Sequence, residues 1–204
     1  SATVPACLHN YGIPRYPPGA IEDANTAMRQ ELLFAPDHAV ATSNLAAFMR
    51  ISGQSEAAEN LLRRQLAQNA DDVGARLNLV AELLQEERAA EALAVLDEGG
   101  APGSDPRAVR HWHLQKSLAL LQLRRFGEAK AVLDALAALG PIPAEIVPLW
   151  HWRQVLLALG EGNGAAARAA AGRMEAALDA MGPEAVPEHQ IMAHYDLAKF
   201  WSGN

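Results

Sequence analysis

The sequence predicts an all-α chain assembled from antiparallel helix pairs, and three observations predict it. Half of the 204 residues are hydrophobic but only 5% are aromatic, so the apolar content is mostly Ala and Leu, both strong helix formers. In "GQSEAAENLLRRQLAQNADD", Gly53 to Asp72, apolar residues recur every third or fourth position, the period of one helix face. The pattern then returns, as "EERAAEALAVLDE" from Glu86, as "LRRFGEAKAVLDALAALGP" from Leu123, and upstream as "PGAIEDANTAMRQELLFAPDH" from Pro18. Aligned on the small residue after an acidic or polar pair, the anchors are Ala24, Ala58, Ala92 and Ala129, separated by 34, 34 and 37 residues. A period of this length marks stacked helix-pair units, none of which buries its own apolar face alone.

The elements follow in order. Residues 1–18 carry Pro14, Pro17 and Pro18, which stop a regular helix beyond about Ile13; an irregular N-terminal cover is expected there. Residues 19–204 form the helical repeat domain. Residues 19–38 are the second half of a unit, and full units follow at 39–72, 73–106, 107–143 and 144–182. Ala58 and Ala92 stand where two helices cross closely and a larger side chain would hold the backbones apart. Leu62 and Leu96, four residues on, share their helix face. Pro36 and Pro141 sit where a helix has already ended. Ser55 and Asp105 are the expected N-caps, the latter followed by Pro106 at the first helical position. "GGAPGSDP", Gly99 to Pro106, is turn-rich and interrupts the second full unit. In the fourth full unit, two helices flank a turn from Gly160 to Gly164, and a terminal helix is expected at 187–202.

The spacing and these residues resemble the tetratricopeptide repeat superfamily, in the divergent form of bacterial arrays. In the unit 39–72 the family's first-helix positions fall on Leu45, Ala46 and Met49, its turn glycine on Gly53, and its second-helix alanine and large apolar residue on Ala58 and Leu62. The next unit supplies Leu79, Val80, Leu83, Ala92 and Leu96, and the third Ser117, Leu120, Phe126, Ala129, Leu133 and Pro141. Gly19, Ala24, Met28 and Pro36 fit half a unit before them, so the resemblance covers roughly residues 19 to 181. The departures are Thr42, Arg76 and His113 in place of the family's tryptophan, Gln65 in place of a second alanine, and Lys116 at an apolar position. The resemblance implies a right-handed α-solenoid of about four repeats.

Chemistry is weakly represented. The formal net charge of −7 argues against nucleic acid, which requires a clustered positive face. No apolar run approaches the roughly 18 residues of a membrane span. Cys7 is the single cysteine, so a reducing cytoplasm is expected, with a removed signal segment still compatible with the sequence. "GEGNG", Gly160 to Gly164, follows a helical pattern where a dinucleotide fingerprint needs a strand. His111 and His113 lie about 200° of helix rotation apart, and His189 and His194 are a poor pair, so no metal or other cofactor is expected. Asp71–Asp72 and Glu86–Glu87 read as solvated helix ends, and no nucleophile has a base at readable spacing. Catalysis by this segment is not expected.

One pattern points to binding. The first helix of each unit lines the concave groove of tetratricopeptide arrays, and one groove position reads Asn44, Asn78, Gln115 and His151. All four both donate and accept hydrogen bonds. They resemble the asparagine ladder of the O-linked N-acetylglucosamine transferase family, whose carboxamides grip the backbone of an extended peptide; the alternative is that they bond backbone groups within the array. Arg50, on the same first helix as Asn44, joins the groove set. The carboxylate clamp of chaperone-binding arrays requires a lysine and an asparagine, whereas the corresponding positions hold Ser43, Leu77 and Leu114 and then Ala47, Ala81 and Leu118. The resemblance therefore implies a scaffold that binds a protein or peptide in its groove. Two other readings stay open: an N-terminal accessory domain of a larger glycosyltransferase- or sulfotransferase-type enzyme, and self-association into a homodimer through the terminal helix at 187–202. The terminal helix, with Leu197, Phe200 and Trp201, lacks the second helix such residues pack on. That favours a piece of a longer protein.

Overall fold

The computed structural model describes residues 20–34 and 39–181, and within these only the backbone at some positions, Ala24 and Arg50 among them. The N-terminal cover, Gly19, Pro36, Cys7, and the terminal helix with Leu197, Phe200 and Trp201 lie outside the described residues. Among those described, every regular element is α-helical. The helices are α1 (Ala20–Phe34), α2 (Ala39–Ile51), α3 (Ser55–Gln68), α4 (Val73–Gln85), α5 (Ala89–Gly99), α6 (Pro106–Gln122), α7 (Phe126–Ala138), α8 (Val147–Gly160) and α9 (Gly164–Met181). The described residues divide into two compact units, one ending at Val132 and one beginning at Leu133.

In the first unit each helix from α1 to α5 packs on the next, and α4 also packs on both α2 and α6. In the second, α9 packs on α8, with Val155, Ala158, Ala167, Ala170, Ala171, Met174 and Leu178 as their common core. The repeated positions are the buried ones. Leu45, Ala46 and Met49 of α2 reappear 34 residues later as Leu79, Val80 and Leu83 of α4, all buried. Ala58, Ala92 and Ala129 are each 0% exposed, and Leu62, Leu96 and Leu133 beside them are buried. Ala67 of α3 is exposed. Lys116, at a position where the pattern asks for an apolar residue, keeps its amine outside the core: the ammonium lies 2.7 Å from Asp97 and 4.7 Å from the Trp112 ring centroid.

Among the described residues one turn is used four times. In Ser52–Gln54, Glu86–Arg88, Leu123–Arg125 and Glu161–Asn163 the middle residue adopts a left-handed conformation, with φ of 75° at Gly53, 59° at Glu87, 58° at Arg124 and 73° at Gly162. The following N–H donates back to Met49, Leu83, Leu120 and Ala158 respectively, each over 2.8 Å. This is the six-to-one bond of a Schellman helix end. Glycine occupies the left-handed place freely, while other residues there cost about 1–2 kcal/mol. Because glycine itself costs about 0.5–1 kcal/mol of chain entropy, Glu87→Gly should stabilise by a few tenths to about 1 kcal/mol. Arg124→Gly should gain less, since the Arg124 guanidinium also stands 6.0 Å from the Phe126 ring centroid. Thermal midpoints of the two variants check this, and a fall for Glu87→Gly would show that the turn carries no such strain.

Helix ends follow local chemistry, with one correction. Asp105 caps α6, its Oδ1 accepting from the Arg107 N–H at 2.9 Å, with Pro106 in the first turn. Asn163 does the same for α9 through Ala166 N–H at 3.0 Å. Ser55, however, is already helical; the cap position falls on Gln54, which makes no side-chain cap bond. The three-residue turn sets the start of α3 one residue earlier than the serine signal implies. α1 ends before Pro36, and α7 ends before Pro141. Between α3 and α5, Arg88 joins Glu59 at 2.7 Å, Glu86 at 2.8 Å and Glu91 at 2.7 Å. Hydrogen bonds from Arg88 are the main reason the Glu59 and Glu91 carboxyls titrate below the usual carboxylate range.

Candidate functional site

The helices that open each pair, α2, α4 and α6, lie side by side through α4. Their shared face holds a cleft of about 790 Å³, entirely within the first compact unit. Ser43 comes from α2, Gly74, Leu77 and Asn78 from α4, and Arg107, His111 and Gln115 from α6; the turn Pro102–Asp105 forms the remaining wall. Arg107, His111 and Gln115 are spaced four residues apart, one stripe of one helix. The turn belongs to "GGAPGSDP", where the repeat lengthens from 34 to 37 residues. That lengthening, read from the sequence only as an interruption of the unit, supplies a wall of the cleft.

Of the ladder residues, the structure brings Asn78 and Gln115 together in this cleft. Asn78 is half-buried and Asn44 is exposed on α2, outside the cleft lining. Neither asparagine side chain has a hydrogen-bond partner among the described residues. Gln115 is half committed: its Nε2 donates to the Leu77 carbonyl at 2.9 Å, while its Oε1 is buried without a partner. Seven residues on, Gln122 Nε2 makes the same kind of bond to the Leu84 carbonyl at 3.1 Å. Glutamines on α6 thus staple it to α4, which the sequence pattern did not reveal. His151 stands on α8 in the second compact unit, buried, with Nδ1 3.1 Å from Gln154 Oε1. Desolvation pushes its pKa down and Arg173 adds to this, against an opposing bond from Gln154. Arg50 lies on α2, and its side chain is outside the described residues.

The acids at the cleft are structural. Asp72 is buried and caps α4: Oδ1 accepts from Ala75 N–H at 2.9 Å and Oδ2 from Gln65 Nε2 at 3.0 Å. The sequence reading of Asp71–Asp72 as a solvated end therefore holds for exposed Asp71 and is corrected for Asp72. The reason is Gln65, seven residues earlier, which meets Asp72 across the α3–α4 corner. With Asp72 and Asp105 both engaged as caps, Arg107 is a cation in the cleft lining with no ion-pair partner among the described residues. Missed by the sequence reading were Ser43, Arg107, His111 and the Pro102–Asp105 wall. The four-residue stripe on α6 was the available signal.

Among the described residues no group of three or more His, Cys, Asp and Glu side chains is placed to hold a metal ion. No described helix is long and apolar enough to cross a membrane. No family model, curated protein or solved structure matches this chain.

Proposed function

We propose that this chain is a tetratricopeptide-type module that binds an extended peptide along the face shared by α2, α4 and α6. The observation that carries the proposal is the cleft lined by Asn78, whose carboxamide has no hydrogen-bond partner among the described residues. A peptide group presents one donor and one acceptor, and a carboxamide answers both. The repeated turn and the buried positions recurring at 34 residues support the solenoid arrangement that such a groove needs. Recognition through backbone groups makes the module tolerant of ligand sequence.

The Asn44→Ala/Asn78→Ala variant tests this. Gln115 is left in place because its amide also staples α6 to α4. Each lost bond to peptide removes about 0.5–1.5 kcal/mol net, so affinity for peptides selected from a phage-displayed random heptapeptide library should fall roughly 5- to 150-fold. The melting temperature should hold, since neither side chain has a hydrogen-bond partner to lose among the described residues and substitutions away from such features change stability by about ±0.5 kcal/mol. A variant that melts markedly lower while binding equally well per folded molecule would make these asparagines structural and sink the proposal.

A further inference from the structure

Beside the cleft lies a second hollow, of about 190 Å³, within the same compact unit. The two share Val73, Leu77, Pro102 and Gly103 in their walls, so the hollow adjoins the cleft along that stretch. The rest of its lining comes from Ala70 and Asp71, from Arg76 of α4, from Gly99–Ala101 and from Trp112 of α6. Missing side chains make the room. Arg76 lies against Gly99, where a Cβ would come 2.1 Å from Nε, so a larger residue there would displace the guanidinium. Gly100, with φ of 65°, stands in the left-handed region that favours glycine. Gly103 has neither constraint: its φ is not left-handed, and a Cβ there would meet nothing within 4 Å.

Two opposite charges border the space. The Arg76 guanidinium donates from Nη1 to the Val95 carbonyl at 2.9 Å and from Nη2 to the Ala70 carbonyl. These partners are neutral, so no hydrogen-bonded carboxylate offsets its charge. The exposed Asp71 supplies an anion in the same wall. With both signs present, neither an anionic nor a cationic guest is favoured. An aromatic ring answers both, because its face is electron-rich and its edge positive. The size agrees, since an apolar cavity of about 150 Å³ holds benzene. Val73, Leu77 and Pro102 supply the carbon surface on the side of the cleft.

We infer that this hollow is a side-chain pocket of the peptide groove and that it takes an aromatic residue of the ligand, phenylalanine in the simplest case. The ring enters from the cleft past the wall that the two cavities share, while the peptide backbone stays on the face of α2, α4 and α6. An aliphatic side chain buries carbon there but presents no electron-rich face to the cation. The inference rests on the peptide-binding reading and adds to it an anchor residue.

The test uses the full chain and peptides enriched from a phage-displayed random heptapeptide library. Enriched peptides should share an aromatic residue. One of them is synthesised with phenylalanine, leucine or alanine at that place, and each is titrated into the wild type and into Gly103→Leu, which adds carbon in the open space at the shared wall. Alanine should weaken wild-type binding roughly 10- to 100-fold, as for burying one such side chain, and leucine at least about 2-fold. In Gly103→Leu the ratio of phenylalanine to alanine peptide should shrink at least about 5-fold. The position of the ring is also read in the wild type, without any substitution: nuclear Overhauser contacts from its protons should reach the methyl groups of Ala70 and Ala101, which line the hollow and not the cleft. Absence of those contacts overturns the pocket, as does a leucine peptide that binds as well as the phenylalanine one, or an unchanged ratio in a Gly103→Leu variant of wild-type melting temperature. Enriched peptides without an aromatic residue overturn the pocket and leave the groove standing, whereas no enrichment at all overturns both.

Discussion

Asp72→Ala is expected to lower stability by about 1.5–5 kcal/mol. The carboxylate has two tasks. Its Oδ1 accepts from the Ala75 N–H at the start of α4, and its Oδ2 accepts from the Gln65 amide on α3. Loss of an N-cap costs about 0.5–2 kcal/mol. Loss of the second bond orphans a glutamine that is 5% exposed, and an unsatisfied buried polar group costs about 1–3 kcal/mol. Urea unfolding of Asp72→Ala and of Asp72→Ala/Gln65→Leu separates the two. The double variant should recover most of the second contribution, because replacing both partners by apolar groups removes the orphan. A double variant no more stable than Asp72→Ala would mean that the Gln65 bond contributes little and that the carboxylate acts only as a cap.

Ala58→Leu and Ala92→Leu should each destabilise by about 1–3 kcal/mol through overpacking, whereas Ala67→Leu should stay within about 0.5 kcal/mol. Ala58 and Ala92 have no exposed surface, and their helices pack on neighbours on both sides, α3 on α2 and α4, α5 on α4 and α6. The added branched carbons can be accommodated only by parting two backbones. Ala67 lies on α3 as well but is exposed, so the three substitutions share one chemical change and differ in packing alone. Thermal midpoints give the comparison. Equal costs at the three positions would show that close helix crossing is not what keeps Ala58 and Ala92 small.

Much of the helical organisation was legible because it is local and periodic. Leu45 and Leu79, or Ala58 and Ala92, stand 34 residues apart and do the same job on the same helix face, so a reader who finds the period finds the buried positions. Asp105 followed by Pro106 announced the start of α6 because a cap acts within its own first turn. The Ser55 signal was equally local, yet it yielded to the fixed geometry of the Ser52–Gln54 turn. Glu87 and Arg124 show the limit in another way: neither residue type signals a left-handed conformation, and each adopts one because the same three-residue turn must close.

The candidate site was legible in part. Asn78 and Gln115 were found because they repeat, and they do share a cleft. What Gln115 does there was not found, since its amide is half committed to a carbonyl 38 residues away.

By itself, the sequence determined that this is a chain of paired helices, where a few of them begin or end, such as α6 at Asp105, and which small and large apolar residues they bury, because each of these depends on spacing within one or two turns. Only the tertiary structure decided that Gln65 and Asp72 meet, that "GGAPGSDP" becomes a wall of two cavities, and that Arg76 and Trp112 line one hollow. Those outcomes join residues from separate helices, and no local spacing encodes the distance at which packed helices bring such side chains together.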